Sequence, residues 1–486
     1  MARLFSWLLN VVYIAVLAFF APLIVWQSLR TGKYREGYRE KLLGLVPRRA
    51  GDATCVWIHA VSVGEVNLVA TLLRDRQSAH PDWQFVVSTT SRAGHELARK
   101  KYADLTVFYC PLDFSWSVRT AMRRVRPTLL LLAELELWPN LIAAAKQHGA
   151  RVAILNGRLS DHSFPRYRRI RPFVGSVLQQ IDLIAAQNEE SAARFRALGA
   201  PADRVHATGS LKYDGAQTDR HNPRTTALRL LAKFQDDDII FLAGSTQEPE
   251  EQIAIDIFRR LSAVHPRLRL VIVPRHPERF NDVARLLDES NLAWCRRTEL
   301  ANQPPALPRV IAPKSDIEQF DSNAPSITTA KPGAAARILL VDTIGELGAW
   351  WGAAQIAFVG GSFGSRGGQN MIEPAAYGAA VSFGPNTWNF RDIVATLIAA
   401  DAAVVVQDAH ALEAFVRRCI ENRAYAQALA TRAQQLVKSQ LGATSRTIAL
   451  IETLIEFDPR IGVPGATPQQ LALTGAMPQP PSQNAA

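Results

Sequence analysis

The stretch GGSFGSRGGQNMIEPAAYG at 360–378 sets glycines, a lone Arg366, Asn370 and, three residues on, Glu373 behind a strand-like IAFV. Glycines let main-chain N–H groups approach an anion closely, and a helix start adds partial positive charge aimed at it. A carboxylate just behind such a phosphate seat can accept two ribose hydroxyls. The pattern suits a nucleotide site; it also suits a plain Gly-rich turn between a strand and a helix.

Other candidate strand ends carry polar groups in the same position. HAVSVGE (59–65) sets His59, Ser62 and Glu65 in a loop entering a helix. Glu65 reads either as a first-turn carboxylate favoured by the helix dipole or as a general base pointing into a cleft, with His59 and Ser62 orienting it or a substrate. In ELELWPNLI (134–142), Glu134 and Glu136 lie on one side of an extended segment, and paired structural roles compete with catalytic ones. NGRLS (156–160) offers Arg158 and Ser160 for polar recognition. TGSLKYD (208–214) brings Lys212 near a domain junction, either solvated or neutralising a phosphate. AGSTQEPEE (243–251) repeats the strand, Gly-Ser, helix order with acidic residues in the first turn. VPRHPERF (273–280) holds Arg275 and His276 between two prolines, and arginine grips phosphate with paired donors. DTIGEL (342–347) puts Gly345 and Glu346 at a further helix start. Together these strand ends point to a nucleotide in the second half of the chain.

The elements that must position these residues are legible as alternation. Apolar runs at 55–60, 85–90, 105–110, 129–134, 152–156 and 183–188 alternate with amphipathic windows; the rhythm breaks at 215–224 and resumes at 239–244, 268–274, 338–343, 356–361, 379–384 and 402–407. Continuous apolar strands mean burial on both faces, hence parallel sheets with helices on either side. The expected architecture is α/β, two doubly wound Rossmann-like domains facing each other across a cleft, with ligands beyond the carboxyl ends of the strands. The expected domains are 31–218 and 219–457, the second carrying a Pro- and Ala-rich surface excursion at 301–337, followed by a disordered tail at 458–486.

Of 486 residues, 48% are hydrophobic and 20% charged, a globular composition with a net charge of +11. The four cysteines and ten histidines are scattered without ligand spacing, so neither a metal nor a cofactor is expected. Basic residues cluster at 30–49 and at Arg166, Arg168, Arg169 and Arg171, with no nucleic-acid motif beside them. Residues 4–29 contain no charge, with Trp7 and Trp26 near the ends, and most of the basic flank follows them. Residues 1–30 therefore read as a retained membrane anchor, spanning the bilayer or lying in its interface, with the body on the cytoplasmic side.

The ordered motifs HAVSVGE, ELELWPNLI, NGRLS, TGSLKYD, VPRHPERF, DTIGEL and GGSFGSRGGQNMIEPAAYG resemble those of the 3-deoxy-D-manno-octulosonic acid (Kdo) transferases, over about residues 30–440. The resemblance implies a GT-B type glycosyltransferase of the bacterial inner membrane that moves Kdo from CMP-Kdo to lipid A precursor (lipid IVA) with inversion. It further implies Glu65 as catalytic base, Glu134 and Lys212 in transition-state stabilisation, and CMP contacts from Pro274, Arg275, Ile344, Gly345, Glu346, Asn370, Met371, Ile372 and Glu373. Leu135 and Ile344 stand where the family often has Thr and Met. A nucleotide-sugar epimerase on the same scaffold and a membrane-tethered binding module are the other two readings of these residues.

Overall fold

The computed structural model describes residues 2–31, 36–161, 163–300 and 336–456. The tail expected from 458, and all but the last two residues of the 301–337 excursion, lie outside them. Contacts divide the chain into two units, Met1–Leu211 with the chain from Thr444, and Lys212–Ala443. The junction expected at 218/219 thus falls at 211/212. The helix Ala443–Glu456, expected in the second domain, joins the first: its Ile451 and Ile455 are buried, Glu452 lies 3.3 Å from His80, and Arg446 Nε donates to the Thr208 carbonyl at 2.8 Å.

The first unit holds strands β1 (Cys55–His59), β2 (Gln84–Thr89), β3 (Thr106–Tyr109), β4 (Leu129–Ala133), β5 (Arg151–Gly157), β6 (Leu183–Ala186) and β7 (Val205–Ala207). They form one parallel sheet in the order β3-β2-β1-β4-β5-β6-β7. Strands such as Leu129–Ala133 are buried at every position, which is why they read as unbroken apolar runs. The chain steps outward from β1 to β3, then returns to lay β4 on the other side of β1. The sheet therefore has its topological switch between β1 and β4, where open α/β sheets leave a crevice beyond the strand ends.

The second unit repeats this design with β8 (Ile239–Thr246), β9 (Leu268–Pro274), β10 (Trp294–Arg296), β11 (Ile338–Leu340), β12 (Ile356–Val359), β13 (Ala380–Phe383) and β14 (Ala403–Val405). The order is β10-β11-β9-β8-β12-β13-β14, again all parallel, with the switch between β8 and β12. Successive residues of β8 enter opposite cores: Ile240 and Leu242 pack with Trp350 and Met371, while Phe241 and Ala243 pack with Phe258 and Phe415. Both faces are covered, as a doubly wound fold requires. The twelve apolar runs all became strands. The two additional ones, VHA and WCR, are short and only partly buried, and they lie at sheet edges.

The N-terminal helix, Ala2–Thr31, is about 45 Å long at 1.5 Å per residue. Its Ser6–Leu23 window has a mean hydropathy of 2.0 and is mostly exposed, making it, among the described residues, the one helix long and apolar enough to cross a membrane.

Gly244, near the end of β8, faces the buried indole of Trp351. A Cβ there would lie 2.5 Å from the Trp351 ring and 2.9 Å from Leu347. A buried indole has little room to retreat, so Gly244→Ala is expected to lower unfolding free energy by about 1–3 kcal/mol, measured by urea denaturation.

Candidate active site

At the switch point of the first sheet, three carboxylates gather from two strand ends. Glu65 lies in the first turn of the helix Val63–Ala79, which follows β1. Its Oε2 accepts the Val61 N–H at 2.7 Å and its Oε1 accepts the Ser62 hydroxyl at 2.9 Å, while Ser62 Oγ accepts weakly from the Glu65 N–H at 3.5 Å. This is the reciprocal logic of a helix capping box, written by the Ser-Val-Gly-Glu spacing. The side chain is only 7% exposed. Burial pushes its pKa up to about 7 against the pull of these two donors, with Glu136 and Glu134 adding repulsion. Each oxygen keeps a further lone pair for a substrate proton.

Glu134 and Glu136 follow β4, the neighbouring strand. Glu134 adopts a left-handed backbone, φ 57°, with its N–H bonded to the Leu155 carbonyl. A non-glycine residue held there is uncommon, and such residues cluster at functional sites. Glu136 accepts the Trp138 indole N–H at 2.8 Å, and burial, with Glu134 beside it, raises its pKa. His59 does not reach Glu65. The Trp57 indole donates to Ser88 Oγ at 2.7 Å, so the Ser88 hydroxyl proton is available to His59 Nδ1 at 3.0 Å. Full burial drops the His59 pKa to about 4, which keeps the ring neutral. Ser160 is spent on its own turn with Ser163. Lys212 is exposed and follows Leu211, whose N–H is held by Asn156 Oδ1 at 3.0 Å.

In the second unit the Gly-rich loop differs from its sequence reading. Its amides do converge on an anion, but the anion is Glu250. Oε2 accepts from Gly361 N at 2.8 Å and Gln247 N at 2.9 Å; Oε1 accepts from Ser362 N at 2.9 Å and Phe363 N at 3.0 Å. Gly360 is required for this approach, because a Cβ there would lie 2.7 Å from Glu250 Oε2. Within the stretch 360–378, read as a phosphate seat, the amides of 361–363 are therefore taken by the protein's own carboxylate. The helix expected after Asn370 is one short turn, Ile372–Ala376, and Asn370 Oδ1 caps its first N–H at 3.1 Å.

What lies at the strand ends instead is a pair of opposite charges. Arg275 follows β9 and is exposed, with its N–H bonded to the Thr246 carbonyl at the end of β8. Burial raises the pKa of Glu373, while Asn370 Nδ2, donating at 3.1 Å, and the nearby Arg275 charge hold it down. Gly348 passes about 3.9 Å from Glu373, measured from where its Cβ would stand. Pro274, Arg275, the segment from Ile344 and Asn370–Glu373 thus share one edge of the sheet. Met371 and Ile372 have side chains in the core, leaving only their main chain for a ligand. The Glu346 carboxylate is committed: Arg297 grips it with two bonds at 2.9 and 2.8 Å, and Thr343 and Trp350 also donate to it. Ile344, 81% exposed, is the open part of that segment.

Sequence reasoning missed Glu250 because a first-turn carboxylate in AGSTQEPEE looks the same whether it serves the helix dipole or a distant loop. It also missed Asp113, which follows β3. Asp113 accepts from Asn140 N at 3.0 Å, Leu141 N at 2.8 Å and Tyr13 OH at 3.1 Å, and burial raises its pKa to about 7. The signal was a lone Asp at a strand end, in PLDF.

Residues 36–215 match the family model described as 3-deoxy-D-manno-octulosonic-acid transferase (kdotransferase). Over 455 residues the chain is 32% identical to the 3-deoxy-D-manno-octulosonic acid transferase of Haemophilus influenzae, covering 91% of this chain and 98% of that one. The Bordetella pertussis protein of the same name is also 32% identical, over 454 residues, with the same coverage. Among solved structures, the C-terminal CMP-Kdo binding domain of WaaA from Acinetobacter baumannii is similar at 25% identity with a TM-score of 0.36, covering 44% of this chain and 97% of that one.

Glu250 is 1% exposed and satisfies four N–H groups. Glu250→Ala leaves all four without this acceptor, those of Gly361 and Ser362 fully buried, so a loss of about 2–4 kcal/mol in unfolding free energy is expected, with Glu250→Gln losing less.

Proposed function

The chain belongs to the Kdo transferase family, and from that premise we propose that it transfers Kdo from CMP-Kdo to a hydroxyl of a lipid A precursor such as lipid IVA, inverting the anomeric centre, with Glu65 as general base. Kdo transfer follows from the family; the mechanism rests on one observation. A carboxylate at the switch point of the first sheet is buried enough to titrate at about 7 while two donors hold it in place.

In this reading the acceptor oxygen bonds to the anomeric carbon as the bond from that carbon to the CMP phosphate breaks. The electron pair of the broken bond leaves with CMP, and the acceptor proton goes to Glu65. A base whose pKa lies near the working pH is ionised in a useful fraction and still accepts a proton readily. CMP is a good leaving group, so one protein base suffices. Glu134 is assigned to the positive charge that develops on the sugar, and its constrained backbone supports a fixed placement. Lys212 and Arg275 are assigned to the departing phosphate, and no metal is given a role.

The second unit is assigned CMP. Arg275 suits the phosphate, and Glu373, with Asn370 beside it, suits the ribose hydroxyls. Pro274, Ile344, Gly345 and the main chain of Met371 and Ile372 complete the proposed contacts; Glu346 enters as the residue that fixes this segment through Arg297. The proposed setting is the bacterial inner membrane, with the body on the cytoplasmic side. The apolar N-terminal helix and the exposed Arg166, Arg168, Arg169 and Arg171 agree with an anionic glycolipid acceptor.

Glu65→Gln is expected to lower kcat by about 10²–10⁴-fold with CMP affinity unchanged. Because the ionised form is the active one, the logarithm of wild-type kcat/KM should rise with unit slope below about pH 7 and level off above it, and the variant should lose that limb; a rate assay following CMP release across pH 5.5–9 reads both. Arg275→Ala is expected to weaken CMP binding by at least about tenfold in calorimetry, in keeping with loss of a charged phosphate partner.

A further inference from the structure

The polar side chains at the start of the N-terminal helix are not scattered. Ser6, Asn10 and Tyr13 are spaced by four and three residues and share one face. That face is bonded to the first unit. Ser6 Oγ donates to Asn140 Oδ1 at 2.6 Å. Asn10 exchanges two bonds with Ser115, Nδ2 to Oγ at 2.8 Å and Ser115 N to Oδ1 at 3.0 Å. Tyr13 OH donates to Asp113, and its ring meets Phe114 edge-on at 6.1 Å. These groups would lack partners in hydrocarbon, so the first half of the helix is held to the protein surface.

Beyond Tyr13 the same face turns apolar, and the helix no longer closes against the body. A groove of about 430 Å³ remains there, with Leu17, Phe20 and Leu23 on the helix side and Leu112, Phe114 and Trp138 on the other. That size is typical of a ligand pocket. Its one carboxylate, Asp113, already has both oxygens occupied, by Asn140 N, Leu141 N and Tyr13 OH, the last bond engaging the Tyr13 hydroxyl as well; Gln27 is the other polar side chain of the lining. The groove therefore offers a predominantly apolar lining without a free charge.

One wall residue links the groove to the carboxylates and points to the occupant. Trp138, part of the groove wall, donates its indole N–H to Glu136 and stands edge-on to His59, with ring centroids 6.2 Å apart. Phe164 and Tyr167, partly buried, pack on the same core as Trp138, on the short helix Phe164–Arg169 that exposes Arg166, Arg168 and Arg169 to solvent. The apolar slot and the carboxylate cluster thus adjoin at Trp138, and the basic helix adjoins the cluster through Tyr167, which feels the Glu136 charge. We infer that the groove between the N-terminal helix and the first unit holds an acyl chain of the acceptor lipid, with the anionic sugar headgroup on the carboxylate side of Trp138. This rests on the proposed transfer to a lipid acceptor and names the acceptor's apolar subsite.

Full-length protein in detergent is assayed with the acylated acceptor and with the same acceptor stripped of its acyl chains. Leu17→Trp, which fills the groove, and Phe20→Ala, which widens it, are compared with wild type, and turnover of the stripped acceptor together with an unchanged thermal unfolding profile reports that each variant is folded. The expected result is that Leu17→Trp shrinks the wild-type preference for the acylated acceptor at least tenfold, mainly through KM, with a smaller change for Phe20→Ala. An unchanged preference in both variants overturns the inference. Independently of activity, acceptor carrying a photoreactive acyl chain should label Leu17 or Phe114. Labelling by a photoreactive phospholipid that excess acceptor does not compete away assigns the groove to bulk lipid and also overturns it. A wild-type protein that transfers no Kdo yet is labelled by acceptor on these residues refutes the transferase reading and leaves the groove standing.

Discussion

Parallel strands that end side by side leave N–H groups converging on one small region, and those groups require an anion or water. In both units of this protein the anion is a glutamate from the helix that follows the first strand of the sheet. Glu250 meets four N–H groups from two strand ends and is fully enclosed, so it acts as a rivet between β8 and β12. Glu65 meets one N–H and one hydroxyl from its own loop and keeps spare lone pairs. Equivalent positions in two similar sheets thus carry one carboxylate saturated by donors and one left partly unsatisfied. The number of donors, more than the residue type, separates a structural role from a chemical one.

The partial satisfaction of Glu65 has electrostatic consequences. Two donors are too few to offset burial, and Glu134 and Glu136 add like charge, so the proton affinity of the carboxyl rises toward neutrality. The neighbours are arranged to avoid interfering. His59 is kept neutral and turned to Ser88, and Glu136 is engaged by Trp138. The second unit separates its charges differently. Arg297 takes Glu346, leaving Arg275 exposed and close to Glu373.

The sheets were legible because strands buried on both faces must be apolar at every position, as in LLLLA at 129–133. The edge strands Val205–Ala207 and Trp294–Arg296 were not, since three residues of which at most one is fully buried carry no such pattern. Glu65 was legible as a candidate through Ser62 and the strand-end position, although the capping role and the chemical role gave the same local signal. The Gly-rich loop was recognised as an anion seat but not as an occupied one, because Glu250 lies more than a hundred residues away in sequence. The last helix reads as part of the second unit for a similar reason: Ile451 and Ile455 are apolar wherever they pack, and only the fold says where.

The proposed transfer turns on the ionisation of Glu65 in the folded protein. Carbon-13 NMR of side-chain-labelled glutamate, assigned to Glu65 by its absence in Glu65→Gln, follows the carboxyl directly as pH is varied. A midpoint near 7 is the predicted result. A midpoint near 4.5, the value of an ordinary exposed glutamate, would contradict it, because burial would then not have prepared this group to take a proton.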